Sequence, residues 1–227
     1  MSETLLLHSK HDGFAVPAHH LPARGKAIGA VVVIQEIFGV TAHIKDIAAI
    51  FAEAGYDVLA PAMFERVAPG LDVAADAAGV TAGRAAFMAT PWPQVVGDIQ
   101  AAIDALGGPC FVTGFCWGGA ASWAAAAHCS GVRAASGFYG RLITDMLDQP
   151  PRAPIMLHYG AEDASIPLTD VERVRAAAPA DTPIYLYQAG HGFCRRGSHD
   201  FNAPACELAL QRTLDWFARW RAKGDGE

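Results

Sequence analysis

The 227-residue chain reads as an α/β fold, with a mainly parallel central sheet flanked by helices on both faces. Three observations predict it. Short β-rich runs alternate with longer segments of helical spacing, the pattern of crossover units in a parallel sheet. One of those runs, AIGAVVVIQE at 27–36, is a continuous β-branched stretch, as a strand buried on both faces requires. GFCWGG at 114–119 has the G-x-C-x-G frame, a spacing that holds a nucleophile on a sharp turn from strand to helix.

Taken in order, the run at 27–36 is the first predicted strand. Thr41 stands where it caps a helix whose Ile44, Ile47, Phe51 and Ala54 recur at helical spacing until Gly55. YDVLAP at 56–61 is the next strand. The segment from Met63 to Pro93 is rich in Ala, Gly and Pro with weak periodicity, so it reads as loop with a short helix, in the place of a lid. VVGDIQAAIDALGG at 95–108 is a helix with a glycine stop, and CFVTG at 110–114 is the strand that enters the sharp turn. GGAASWAAAAH at 118–128 is helical by propensity. Strands follow at 132–140, 153–160 and 183–190, with helices at about 168–178 and 204–221.

No composition break divides the chain, so 1–227 is expected to be one domain. With 52% hydrophobic and 18% charged residues it is too apolar to be disordered. A net charge of -6 without a Lys/Arg block argues against a nucleic-acid partner and favours a small molecule. No apolar run is long enough to span a membrane, and MSETLLLHSK lacks a basic stretch followed by a long apolar one; a cytoplasmic chain with no membrane partner is expected. Five cysteines at irregular spacing, without a CxxC pair, suggest neither a disulfide framework nor a zinc site. His19, His20, His43 and His199 show no metal-ligand spacing, so no metal and no other cofactor is expected.

The chemistry gathers at three places. Cys116 sits between a strand and a helix, among Gly114, Gly118 and Gly119, where a Cβ would obstruct the turn. Its position at a helix amino end favours a thiolate. Cys110, Cys129, Cys194 and Cys206 lack the frame and read as packing residues. A triad in the order nucleophile, acid, histidine places its acid after a later strand and its histidine in a loop near the end. Asp163 lies just past the strand ending at Gly160, and His191 just past the strand ending near Ala189. Strand carboxyl ends are where open parallel sheets assemble sites. Glu162 is the rival acid, but the neighbouring position points elsewhere.

With VVVIQEIFGVTAHIKDIA, GYDVLAPAMF, GFCWGG and AGHGFCRR in place, the chain resembles the dienelactone hydrolase family over nearly its whole length. The resemblance implies the α/β-hydrolase fold and a triad of Cys116, His191 and Asp163. It also implies that Glu36 contacts and activates the thiol, and that the backbone N–H groups of Ile37 and Trp117 form the oxyanion site. Arg195, four residues after His191, matches the arginine that binds the substrate carboxylate and pairs with the glutamate. Family members that take dienelactone carry a second such arginine followed by a tyrosine; here the segment offers Arg84 as the candidate, without the tyrosine.

A thiol suits an activated substrate. The alkoxide of an alkyl ester is far more basic than a thiolate, whose conjugate acid has a pKa of about 8.5, so the tetrahedral intermediate falls back. An enol lactone expels a stabilised enolate, and forward collapse competes. The expected activity is therefore opening of an enol lactone such as a dienelactone through a thioester. Two other readings stay open: an esterase or thioesterase of the same family acting on another small activated ester, and a non-catalytic sensor using the Cys116 thiol. A monomer or small homo-oligomer is expected.

Overall fold

The computed structural model describes residues 2–224; Met1 and residues 225–227, the two ends of the expected 1–227 unit, lie outside the described residues. Eight strands form one sheet: β1 (Glu3–His8), β2 (Ala15–Leu21), β3 (Gly29–Ile34), β4 (Tyr56–Pro61), β5 (Cys110–Phe115), β6 (Val132–Phe138), β7 (Ile155–Gly160) and β8 (Ile184–Tyr187). Their spatial order is β1-β2-β4-β3-β5-β6-β7-β8. From β4 to β8 every neighbouring pair is parallel, while β1 with β2 and β2 with β4 are antiparallel.

Among the described residues six α-helices complete the fold: α1 (Ala42–Glu53), α2 (Ala77–Met88), α3 (Trp92–Ala105), α4 (Trp117–His128), α5 (Leu168–Ala177) and α6 (Ala203–Gly224). α3 and α4 pack on each other, with α4 against β5 and β6. α1 and α6 meet through Phe51 and Phe217, which share an aromatic cluster with Tyr56 and Phe111. Apolar residues of the central strands, from Val31 through Ile34 on β3 and Phe111 and Val112 on β5, are buried between these layers. No helix among the described residues is long and apolar enough to cross a membrane.

The structure departs from the sequence reading in three places. The amino-terminal hairpin β1–β2 was not anticipated, because β1 is mostly exposed and β2 carries Pro17 and two histidines, which weaken the strand signal. The helix in the 63–93 segment is 12 residues long and starts at a true cap, Asp76, whose side chain accepts from the Gly79 N–H at 2.8 Å. Thr41 occupies the N-cap of α1, but its side chain makes no capping hydrogen bond.

The connections after β3, β4, β5 and β6 therefore emerge side by side at the carboxyl end of the sheet. α2 is pressed against the turn after β3 at Gly83, where a Cβ would run into the Ile37 carbonyl. That close approach brings one face of α2 over the mouth of β5.

Candidate active site

Cys116 is the N-cap of α4, with φ 55° and ψ −114°, a conformation that L-residues with a Cβ rarely adopt. Such a residue costs on the order of 1–3 kcal/mol unless its surroundings hold it. Two backbone hydrogen bonds do so: the Cys116 N–H donates to the Phe138 carbonyl at 3.0 Å, and the Gly119 N–H donates to the Cys116 carbonyl at 3.0 Å. Gly118 lets the first turn of α4 lie on the Ile34 and Gln35 carbonyls, an approach that any Cβ would block.

The structure brings Cys116, His191 and Asp163 into one chain of contacts. His191 Nε2 lies 3.2 Å from Cys116 Sγ, and His191 Nδ1 lies 2.6 Å from Asp163 Oδ2. The Asp163 side chain is fully buried, and Glu162 is exposed. Burial works against an Asp163 charge, but the hydrogen bond and charge of His191, together with Ser165, hold its pKa below the ordinary carboxylate range. Burial likewise opposes a charged His191, yet the hydrogen bonds to Asp163 and Cys116 and their charges raise it to about 10. In the charged ring Nδ1–H donates to the carboxylate and Nε2–H to sulfur.

Ser165 was missed by sequence reading. Its Oγ–H and N–H donate to Asp163 Oδ1 at 2.6 and 2.8 Å, leaving Oδ2 to the imidazole. The signal was present, since an aspartate followed two residues later by serine is an Asx-turn pattern. Tyr139 was missed too. It has φ 39°, is completely buried, and sets its ring edge-on to His191 at 5.2 Å between centroids. Its hydroxyl has no hydrogen-bond partner among the described residues.

Glu36 is almost fully buried, and Arg195 Nη1 donates to both its oxygens at 3.2 Å. Burial opposes the Arg195 charge, but the carboxylate outweighs it and lifts the guanidinium above its ordinary range. The guanidinium also lies 5.0 Å from the Phe38 ring centre. The expected contact between Glu36 and the thiol is not formed: no hydrogen bond joins them among the described residues, and the sulfur faces His191. A buried carboxylate takes the strongest cation in reach, and here that is Arg195. The Gln35 side chain steadies the same turn, accepting from the Met63 N–H at 3.0 Å and donating to the Glu36 carbonyl at 3.2 Å.

These groups border a cavity of about 290 Å³, lined among others by Ile37, Cys116, Trp117, His191, Arg84 and Arg195. Among the described residues, the backbone N–H groups of Ile37 and Trp117 donate to no protein acceptor, so both remain available to an oxyanion. The Trp117 ring is stacked on Trp92 at 5.9 Å and packs on Phe64 at 4.7 Å, which makes one wall rigid and apolar. Arg84 reaches the cavity from α2, together with Val80 and Phe87. Arg141, which sequence reading did not single out, reaches it from a 3-10 turn (Arg141–Asp145) after β6. The other four cysteines are buried, and His19, His20, His43 and His199 do not assemble into a metal-binding cluster among the described residues.

A thiol, an imidazole and a buried carboxylate in contact, beside free N–H donors, can form and break an acyl bond. The dienelactone hydrolase family profile matches residues 17–220. A Salmonella typhimurium protein named as a candidate carboxymethylenebutenolidase is 35% identical over 93% of this chain and 86% of its own. A carboxymethylenebutenolidase of Pseudomonas putida is 30% identical over 89% of this chain and 90% of its own. The crystal structure of a candidate dienelactone hydrolase from Klebsiella pneumoniae superposes with a TM-score of 0.85 at 29% identity, covering 96% of this chain and 98% of that one. The fold is thus the α/β-hydrolase fold, and the chain belongs to the dienelactone hydrolase family and is a hydrolase of ester or lactone bonds.

Proposed function

We propose that this hydrolase opens activated, carboxylate-bearing esters, enol lactones such as dienelactones above all, through a thioester on Cys116. The observation that carries the reading is the 3.2 Å approach of His191 Nε2 to Cys116 Sγ at the head of α4, facing the cavity. The Cys116 S–H proton passes to Glu36 as sulfur attacks the carbonyl carbon, and the N–H groups of Ile37 and Trp117 receive the resulting oxyanion. The C–O bond to the leaving enolate then breaks, and His191 supplies the proton that the leaving group takes up. Now neutral, His191 accepts a proton from water, which attacks the thioester and releases the acid and the thiolate, and the thiolate takes its proton back from Glu36. Asp163 keeps the imidazole in one tautomer and orientation throughout.

Substrate selection falls to the arginines. Arg195 commits one nitrogen to Glu36, and its Nη2 carries no protein acceptor among the described residues. That nitrogen and the Arg84 guanidinium converge on one carboxylate of the substrate. A carboxylate that draws Arg195 away from Glu36 also frees Glu36 toward the thiol, which is when the glutamate takes the activating role that the family resemblance gives it.

The test is a leaving-group series of matched alkyl esters, aryl esters, thioesters and enol lactones, assayed with wild type and Cys116→Ala. kcat/KM is expected to rise steeply as the leaving group becomes less basic, and every activity is expected to need Cys116. Turnover that survives Cys116→Ala overturns the mechanism. A flat series with acylation rate-limiting removes the reason for a thiol.

A further inference from the structure

We propose that Arg141 binds a second anionic group of the substrate, so that an activated ester with a further carboxylate on the far side of the scissile bond is turned over faster than its counterpart with one carboxylate. This rests on the hydrolase reading above and deepens it. The charges lining the cavity are one-sided: Arg84, Arg141 and Arg195 all border it, and no aspartate or glutamate does. That excess stands against a chain whose net charge is -6. Arg195 is compensated from behind by Glu36. Arg84 and Arg141 have no side-chain hydrogen bond or ion pair with any described residue, and the cavity wall beside them is apolar, with Val80, Phe87 and Leu142. Both residues are exposed, so these two positive charges are open to a ligand that enters the cavity.

Their placement separates them. The sheet order runs β4-β3-β5-β6, and Cys116 stands at the end of β5. Arg84 comes from the connection after β4, held against the turn after β3 at Gly83, and Arg195 is tied to that same turn by Glu36. Arg141 comes from the connection after β6, on the other side of the thiol, where the chain at Gly140 is packed tightly on Gly119 and Ala120 of α4. An ester whose carbonyl carbon meets sulfur extends in both directions from β5. One end runs toward Arg84 and Arg195 and the other toward Arg141. A single carboxylate satisfies only one side.

The experiment uses four aryl esters built on one scaffold. The acyl chain and the aryl leaving group each carry either a carboxylate or its carboxamide isostere, which separates charge from size. Wild type is expected to favour the dicarboxylate over the better monocarboxylate by roughly 5- to 30-fold in kcat/KM, the range of one charge-assisted contact at a partly open site. Arg141→Gln is expected to erase the acid-to-amide preference at one of the two positions, Arg84→Gln to weaken it at the other, where Arg195 remains, and Arg141→Lys to restore part of the loss at the first. The idea is overturned by a dicarboxylate no better than the better monocarboxylate, or by Arg141→Gln lowering all four rates by one common factor, as a structural role would. In either case Cys116-dependent turnover of the dicarboxamide leaves the hydrolase reading standing. Absence of Cys116-dependent turnover on all four esters brings down both.

Discussion

Arg195 and Glu36 meet through a single nitrogen that serves both carboxylate oxygens, 159 residues apart in the chain. The pair ties the loop after β8 to the turn after β3, and the carboxylate at its centre has almost no contact with solvent. Removing one partner strands the other, and for a buried pair that costs about 3–5 kcal/mol, whereas removing both costs less. Arg195→Gln is therefore expected to lose about 3 kcal/mol of stability in urea unfolding. Arg195→Gln combined with Glu36→Gln is expected to recover a measurable part of that loss. A double variant no more stable than Arg195→Gln would show that the carboxylate is not left uncompensated.

A second expectation concerns which thiol reacts. Burial pushes Cys110 and Cys129 up to about 12 and raises Cys194 well above an ordinary thiol, while Cys116 alone is partly exposed and lies against His191. Brief iodoacetamide treatment at neutral pH should add one group per chain, mapped by mass spectrometry to Cys116, in step with loss of activity. Cys116→Ala should take up none, and Cys110→Ala or Cys129→Ala should retain most turnover.

The state of His191 is open to direct observation. Its ring nitrogens, followed by NMR, should titrate with a midpoint near 10, and Asp163→Asn should bring the midpoint down toward the ordinary 6.5. Ser165→Ala, which removes the hydroxyl donor from Asp163 Oδ1, is expected to lower kcat about tenfold with little change in KM, the size of one hydrogen bond to a charged group. An unchanged kcat would mean that the Ser165 N–H alone holds the carboxylate.

His158 predicts the acid limb of stability. It is completely buried in β7, bonded to the Tyr187 hydroxyl and to Thr213 Oγ1, and burial, with the Arg212 charge adding to it, lowers its pKa to about 3. The unfolded chain takes up this proton near 6.5 and the folded chain does not, so the contribution is fully present above 6.5 and is lost as pH falls toward 3. The loss approaches about 1.4 kcal/mol per pH unit within that window. His158→Asn cannot take up the proton, and its stability between pH 6 and 4 should fall less steeply than that of wild type.

Much of this was legible in the sequence, for identifiable reasons. The strand order was not, but the strands from 27–36 onward were, because buried parallel strands are continuous apolar runs that periodicity finds. The β1–β2 hairpin escaped because an exposed edge strand needs no such run, and Pro17 argues against a strand. Cys116 was visible through its glycines, which answer to local backbone geometry. The partner of Glu36 is a different matter. Residue types and the family resemblance named Arg195 and the thiol together, and only the three-dimensional arrangement decides between them. Arg141 carried no motif at all; what marks it is its position beyond a strand end, next to a cavity that has to be seen to be counted.

The backbone of Cys116 has a consequence for how such a chain can change over time. With φ at 55°, glycine would sit there more comfortably than any residue that can act as a nucleophile. Cys116→Gly, by far the easiest substitution for the backbone to accept, discards the chemistry and relaxes the turn. Stability and activity thus pull in opposite directions at one codon. Selection for robustness alone would drift toward an inert, tighter protein, so the thiol persists only while its product is needed.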